Sequence, residues 1–232
     1  MGKLQNLTEV SHPAPFRDEH LKVVRDLLHY LDVTSILDPF AGTGKIHELR
    51  NYGYLTYGIE REPEWATQNS MYTIVGDVLD PAGLQAVLAR AGWGTFDAVV
   101  TSPCFGNRMA DHHNAKDDSV RNTYRHKLGR EITEGSSAIL QWGPEYRSFH
   151  EKAWEQILGV ADRFFILNIK DHVRAGEVMP VTAWHVETIE GLGFQEVRRE
   201  EMPTRGLAYG ENHEVRVPME SMILFGRAKP RR

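Results

Sequence analysis

Cysteine occurs once in this chain, at position 104, which excludes an internal disulfide framework and any multi-cysteine zinc site. No apolar run approaches the roughly 20 residues that a membrane-spanning helix needs. The opening Met1-Gly2-Lys3-Leu4-Gln5-Asn6 lacks the apolar core of a secretion signal, so a cytoplasmic location is expected. Asn6 also stands where an N-myristoylation signal requires Ser or Thr. An excess of positive charge is missing too: 27 Lys and Arg face 32 Asp and Glu, a net charge of −5. That balance is not the global signature of a nucleic-acid binder, although a local basic patch suffices for one. Internal repeats and low-complexity tracts are absent, and 232 residues suit one domain carrying an insertion.

Short apolar runs are what the chain does have. Strands are expected at 34–38, 54–59, 71–75, 96–101, 162–169, 194–200 and 220–226. Helical spacing marks 18–31, with further helices near 46–51, 62–69, 82–91, 145–160 and 180–191. Alternation at this pitch predicts an α/β fold, a Rossmann-like, doubly wound and mostly parallel seven-stranded sheet. The long polar connection between the last two strands predicts an antiparallel final strand that closes the sheet edge. Residues 106–144 carry no sustained period, and a stretch of that length is read as an insertion over the active site within a single domain spanning 1–232.

Open α/β sheets bind ligands beyond the carboxyl ends of their strands. The first strand ends in Asp38-Pro39-Phe40-Ala41-Gly42-Thr43-Gly44, a glycine turn that brings backbone close to a ligand. Lys45 suggests a phosphate loop, but the glycine spacing is wrong and Ile46 follows where Ser or Thr is required. Glu60 ends the second strand about 20 residues on, where an acid accepts hydrogen bonds from ribose hydroxyls. Asp77, after the third strand, is placed to accept from an adenine amino group. The three strand ends together point to an adenosine-bearing cofactor.

The fourth strand, Phe96 to Thr101, ends in Ser102-Pro103-Cys104-Phe105. With the Asp38–Gly44 turn, this pair resembles the S-adenosylmethionine-dependent amino-methyltransferases that modify DNA bases. Their usual motifs are Asp-Pro-Phe-x-Gly-x-Gly, then Ser, Asp or Asn followed by Pro-Pro and Tyr or Phe. His12-Pro13-Ala14-Pro15-Phe16 is similar to the segment that leads into the family's first helix. The resemblance spans about residues 11–227, without an alignable counterpart for the insertion. It implies a class I methyltransferase fold with S-adenosyl-L-methionine as cofactor. His12, Asp38, Pro39, Phe40, Ala41, Gly42, Gly44, Glu60, Arg61, Asp77 and Val78 would then surround the cofactor. Trp65, beyond Glu60, either lies along the adenine or belongs to the core.

The same resemblance gives the reacting roles. The Ser102 side chain and the Pro103 carbonyl would orient an exocyclic amine, and Phe105 would stack on an extruded base. Serine at the first position leans towards cytosine N4 over adenine N6. Cys104 replaces the family's second proline and leaves three readings. It is a compact substitute, or a nucleophile as in carbon-5 cytosine methyltransferases, or the mark of a site that has lost activity. A Glu-Asn-Val-like motif, which the DNA carbon-5 enzymes carry at the fifth strand, is replaced here by Ile166-Leu167-Asn168-Ile169-Lys170-Asp171-His172.

Residues 106–130 hold six cations against three aspartates, a net charge of +3. Asn107, Arg108, Arg121, Tyr124, Arg125 and Lys127 interleave cations with an aromatic ring, as contacts to phosphate and base require. The resemblance makes DNA the expected partner, with a restriction or phage modification system as a further one; RNA is the alternative substrate. His112-His113 beside Asp111 lack a regular ligand spacing, and no metal is expected.

Overall fold

The computed structural model describes residues 10–107, 123–204 and 215–228. Nine strands are described: β1 Ser35–Asp38, β2 Leu55–Glu60, β3 Thr73–Val75, β4 Phe96–Thr101, β5 Ala161–Ile169, β6 His172–Arg174, β7 Glu177–Met179, β8 Phe194–Pro203 and β9 Met219–Arg227. Seven form one sheet in the order β3-β2-β1-β4-β5-β9-β8. The first five in that order run parallel, and β9 is antiparallel to both β5 and β8. The final strand is thus antiparallel as expected, but it slots between β5 and β8, so β8 holds the edge. Bonding on both sides explains the burial of Glu220 to Phe225 along β9, whereas β8 alternates and carries exposed charge.

Central strands are apolar on both faces, as a parallel sheet covered on each side requires. Leu37, Val99, Phe165 and Phe225 point to one layer, with Val87 of α3 (Pro81–Ala91), Trp154 and Ile157 of α5 (Pro144–Val160) and Ile189 of α6 (Val181–Gly191). Their chain neighbours Ile36, Val100, Ile166 and Leu224 face the other layer, against Val24 and Leu28 of α1 (Asp18–Leu28) and Ile46 and Leu49. Period two along each strand separates the layers. The helix expected near 46–51 is a tighter 3-10 helix over Lys45–Tyr52, entered through Gly44 at φ 80° and left through Gly53. The β6–β7 hairpin was not expected, because three-residue strands leave too short a pattern to read.

Two short helices complete the site-bearing end: α2 Pro63–Ala66 and α4 Tyr124–Leu128. The expected insertion is stapled at its base. Trp142 N–H donates to Gly106 O at 2.8 Å, and Asn107 bridges to Gln141. Gly106 sits at φ 75°, and a Cβ there would lie 3.1 Å from both Trp142 N and the Tyr146 ring. Gly106→Ala is expected to destabilise the fold by about 1–3 kcal/mol, from backbone strain plus overlap, as read by the urea unfolding midpoint.

Candidate active site

The chain runs outward from β1 through β2 to β3, then crosses back to β4 on the other side of β1. Crevices form where strand order reverses in this way. Here the carboxyl ends of β1, β2 and β4 and the stretch after β3 open into a cavity of about 480 Å³. Its wall includes His12, Pro39–Gly42, Glu60, Arg61, Asp77, Val78 and Ser102–Phe105. The sequence motifs, dispersed over 90 positions, therefore converge on one space, except that Asp38 and Gly44 lie behind its wall, Asp38 buried and Gly44 packed against His47 and Asn69.

Asp38 closes β1 with 1% of its surface exposed. It accepts from the Phe40 N–H at 3.0 Å and from Thr101 Oγ1 at 2.8 Å. Burial pushes its carboxyl up to about 7, against the pull of these two bonds. Glu60, half-buried, has one backbone donor on each oxygen: Gly42 N–H on Oε2 and Glu62 N–H on Oε1, both at 2.8 Å. Burial raises this carboxyl to about 7 as well. The two N–H groups fix the carboxylate plane and leave lone pairs for a ligand's hydroxyls.

His12 packs over the glycine turn, its ring 3.5 Å from where a Cβ on Gly42 would lie. Its centroid stands 4.4 Å from that of Trp65 and 5.2 Å from that of Tyr124. Burial lowers the His12 imidazole to about 4, so the ring is neutral at pH 7. Trp65 is 2% exposed and lines the cavity, and its Nε1 has no protein partner. The two sequence readings of Trp65 thus meet, in a core residue with one edge at the ligand space.

Asp77 is already engaged. Oδ1 accepts from the Leu79 N–H at 3.0 Å, and Oδ2 pairs with Arg61, which also donates to the Glu134 carbonyl. An adenine amino group would share this carboxylate with Arg61. The insertion is locked to the same wall by Arg130, which reaches Glu62 at 2.6 Å and Glu64 at 2.5 Å. Glu62, 1% exposed, also accepts from the Thr133 N–H and hydroxyl, each at 2.9 Å. The described part of the insertion is therefore a wall of the cavity.

Of the expected nucleic-acid contacts, this position corrects Tyr124. Tyr124, expected to face a base, is 5% exposed and packs on Trp65, because the ring gains more from burial than the α4 turn can offer at its surface. Arg125 pairs with Glu131. Asn107 is exposed on the cavity wall and Lys127 is half-buried, while Arg108, Arg121 and His112-His113 lie outside the described residues. Among the described residues no cluster of His, Cys, Asp and Glu fits a metal ion, and no helix is long and apolar enough to cross a membrane.

Cys104 points its sulfur at Tyr124 Oη, 3.3 Å away, within a cluster of Trp65, Tyr124 and Ala138. Burial pushes the thiol up, and bonds from Tyr124 and Ser137 pull it only partly back. Its carbonyl accepts from Tyr146 Oη at 2.9 Å, and that hydroxyl is backed by His185 at 2.9 Å and Trp154 in turn at 3.0 Å. Residues that no local pattern announces complete the site: Arg17, His20 and Glu220 lie on its wall beside Ser102 and Asn168. The one available signal was a lone acid, Glu220, opening an apolar strand.

The sheet order, the antiparallel β9 and the crevice define the class I methyltransferase fold. No protein-family model and no curated protein matches the sequence. Solved structures do. The N-methyltransferase NodS from Bradyrhizobium japonicum is 10% identical, with a TM-score of 0.55 over 92% of this chain and 96% of that one. Magnesium protoporphyrin IX methyltransferase from Synechocystis, with bound S-adenosylhomocysteine, is 12% identical, with a TM-score of 0.54 over 90% and 83%. The 1,6-didemethyltoxoflavin-N1-methyltransferase of Burkholderia thailandensis, also holding S-adenosylhomocysteine, is 11% identical, with a TM-score of 0.51 over 91% and 78%.

A thiol held protonated is a poor nucleophile. Cys104 in the native protein is accordingly expected to react with iodoacetamide at least about tenfold more slowly than free cysteine at pH 7.5. The rate of mass gain on the intact protein checks this.

Proposed function

We propose that this protein transfers a methyl group from S-adenosylmethionine to an exocyclic amino group of a DNA base, with cytosine N4 favoured over adenine N6. The observation that carries the reading is the meeting of the Ser102–Phe105 strand end with Gly42 and Glu60 in one cavity. The residues present fit the cofactor: a carboxylate oriented by two backbone N–H groups suits ribose hydroxyls, and the unpartnered Trp65 Nε1 suits an acceptor. When bound, S-adenosylmethionine supplies an electrophilic methyl group on a sulfonium.

The chain's own work is positioning. An aromatic amine is a weak nucleophile because its lone pair is delocalised into the ring. Ser102 Oγ and the Pro103 carbonyl would accept its hydrogens and turn the nitrogen lone pair towards the methyl group. Phe105, half-buried on the cavity wall, would support the face of a base taken out of its stack. Fixing both reactants in contact geometry lowers the barrier without a covalent intermediate. His12, Tyr124 and Trp65 exclude water from the cofactor side. The orientation and protonation of Cys104 favour this chemistry over carbon-5 attack, and leave the cysteine as the compact residue that seats Tyr124.

Mass spectrometry of nucleosides from DNA and RNA exposed to the protein and isotopically labelled S-adenosylmethionine tests the reading. N4-methylcytosine in DNA is expected, with Ser102→Ala slowing transfer about 100-fold. Label in 5-methylcytosine, lost on Cys104→Ala, would overturn it, and label confined to RNA would move the substrate to that polymer.

Glu60 gives a second expectation. Ribose hydroxyls bind the charged carboxylate better than the acid, and the free group titrates at about 7. Affinity for S-adenosylhomocysteine should then rise with pH, about tenfold from pH 6 to 8. Titration calorimetry should show a flatter profile for Glu60→Gln.

A further inference from the structure

Ser102 does not stand alone at the end of β4. Asn168, in β5 and 2% exposed, donates from Nδ2 to Ser102 Oγ at 3.1 Å. The same nitrogen lies 3.5 Å from Glu220 Oε2 on β9. A carboxylate only accepts hydrogen bonds, so Glu220 decides which end of the amide faces the serine. The other carboxylate oxygen, Oε1, is held by Arg17 at 2.5 Å and by His20 Nε2 at 3.0 Å. His20 Nδ1 accepts from the Arg17 N–H at 2.8 Å, which puts the ring proton on Nε2, towards Glu220. Lys170, at the end of β5, adds its positive field to the same carboxylate. Burial pushes the Glu220 carboxyl up, but His20, Arg17 and Asn168 together outweigh it and hold it below the usual range.

One lone pair of Ser102 Oγ is thereby occupied by an N–H. The serine proton cannot point at Asn168, so the proton and the second lone pair remain for the cavity. We propose that Asn168 is a positioning residue that holds the Ser102 hydroxyl in the orientation that serves the substrate amine, and that Glu220, clamped by Arg17 and His20, sets the Asn168 amide. This rests on the preceding reading of Ser102 as the amine clamp.

Asn168→Asp keeps the size and removes the donor. At pH 8 the introduced carboxylate accepts the Ser102 proton and turns the hydroxyl, with its lone pairs, out of the orientation that the amide N–H imposes, and kcat should fall about 10- to 100-fold. The Kd for S-adenosylhomocysteine should stay within about twofold, since no cofactor-side residue is disturbed. Placed against Glu220, the new carboxyl shares a proton as pH falls, and a protonated carboxyl donates to Ser102 as the amide did. The ratio of variant to wild-type kcat should therefore climb between pH 8 and 6, whereas Asn168→Ala should show the same loss with a flat ratio. Variants within about threefold of wild type, or an Asn168→Asp ratio that does not change with pH, would overturn the proposal. If Asn168→Asp melts below the assay temperature, Glu220→Gln serves instead. Its amide lets Asn168 flip, so kcat should fall about five- to tenfold with cofactor affinity intact, and an unchanged kcat would overturn the proposal. An active wild type with indifferent variants sinks this inference alone. A wild type that binds S-adenosylhomocysteine but methylates no amino group in DNA or RNA sinks the Ser102 reading and this inference with it.

Discussion

Asp38 accepts both the Phe40 N–H and the Thr101 hydroxyl on one oxygen, Oδ1, with almost no water contact. The first bond shapes the glycine turn that follows β1. The second reaches the last residue of β4, one position before Ser102. A single buried carboxyl thus ties the turn beside Glu60 to the strand end that presents Ser102, and the separation between the two halves of the site is set there. Such a group is costly to bury, and its raised proton affinity is the sign of that cost. It stays because the turn itself brings the Phe40 N–H to it, and the parallel neighbour β4, in a register (Leu37 against Val99) fixed by core packing, brings Thr101.

Around this tie the site is built in two electrostatic halves. On the β2 side, Glu60 and Glu62 stand two residues apart with opposite duties. Glu60 is oriented by backbone N–H groups and left open to the cavity, while Glu62 is consumed by Arg130 and Thr133. One acid therefore faces the cavity, and the other fastens Arg130 and Thr133 to its wall. On the β4 side, Glu220 is surrounded by Arg17 and His20, and the result is transmitted through a neutral amide to Ser102. Charge is kept one step back from the proposed reaction centre, where the Ser102 hydroxyl and the Pro103 carbonyl would face a substrate amine.

The basic character of 106–130 is also redistributed by folding. Arg125 and Arg130, two of its cations, are taken up by Glu131, Glu62 and Glu64. Tyr124 turns inward to Trp65 and Cys104. Cations that composition offers to phosphate thus serve in part to close the insertion on the cavity. Cys104, with its thiol held protonated in this cluster, belongs to the same closure.

Much of the fold was legible because its signals are local. Apolar runs of strand length marked all seven strands of the main sheet, the glycines marked the turn after β1, and the spacing from Gly42 to Glu60 placed the acid. The Ser102–Phe105 motif was legible for the same reason, since it directly continues a strand. What the tertiary structure alone decided is long-range. Glu220 and His20 lie 200 positions apart, and Arg130 and Glu62 lie 68 apart, and no periodicity links such pairs. Which cation is paired, whether Tyr124 faces water or core, and whether β9 lies inside or at the edge depend on what packs against each residue. Sequence fixes residue chemistry and local period, but desolvation and partner choice are properties of the assembled neighbourhood.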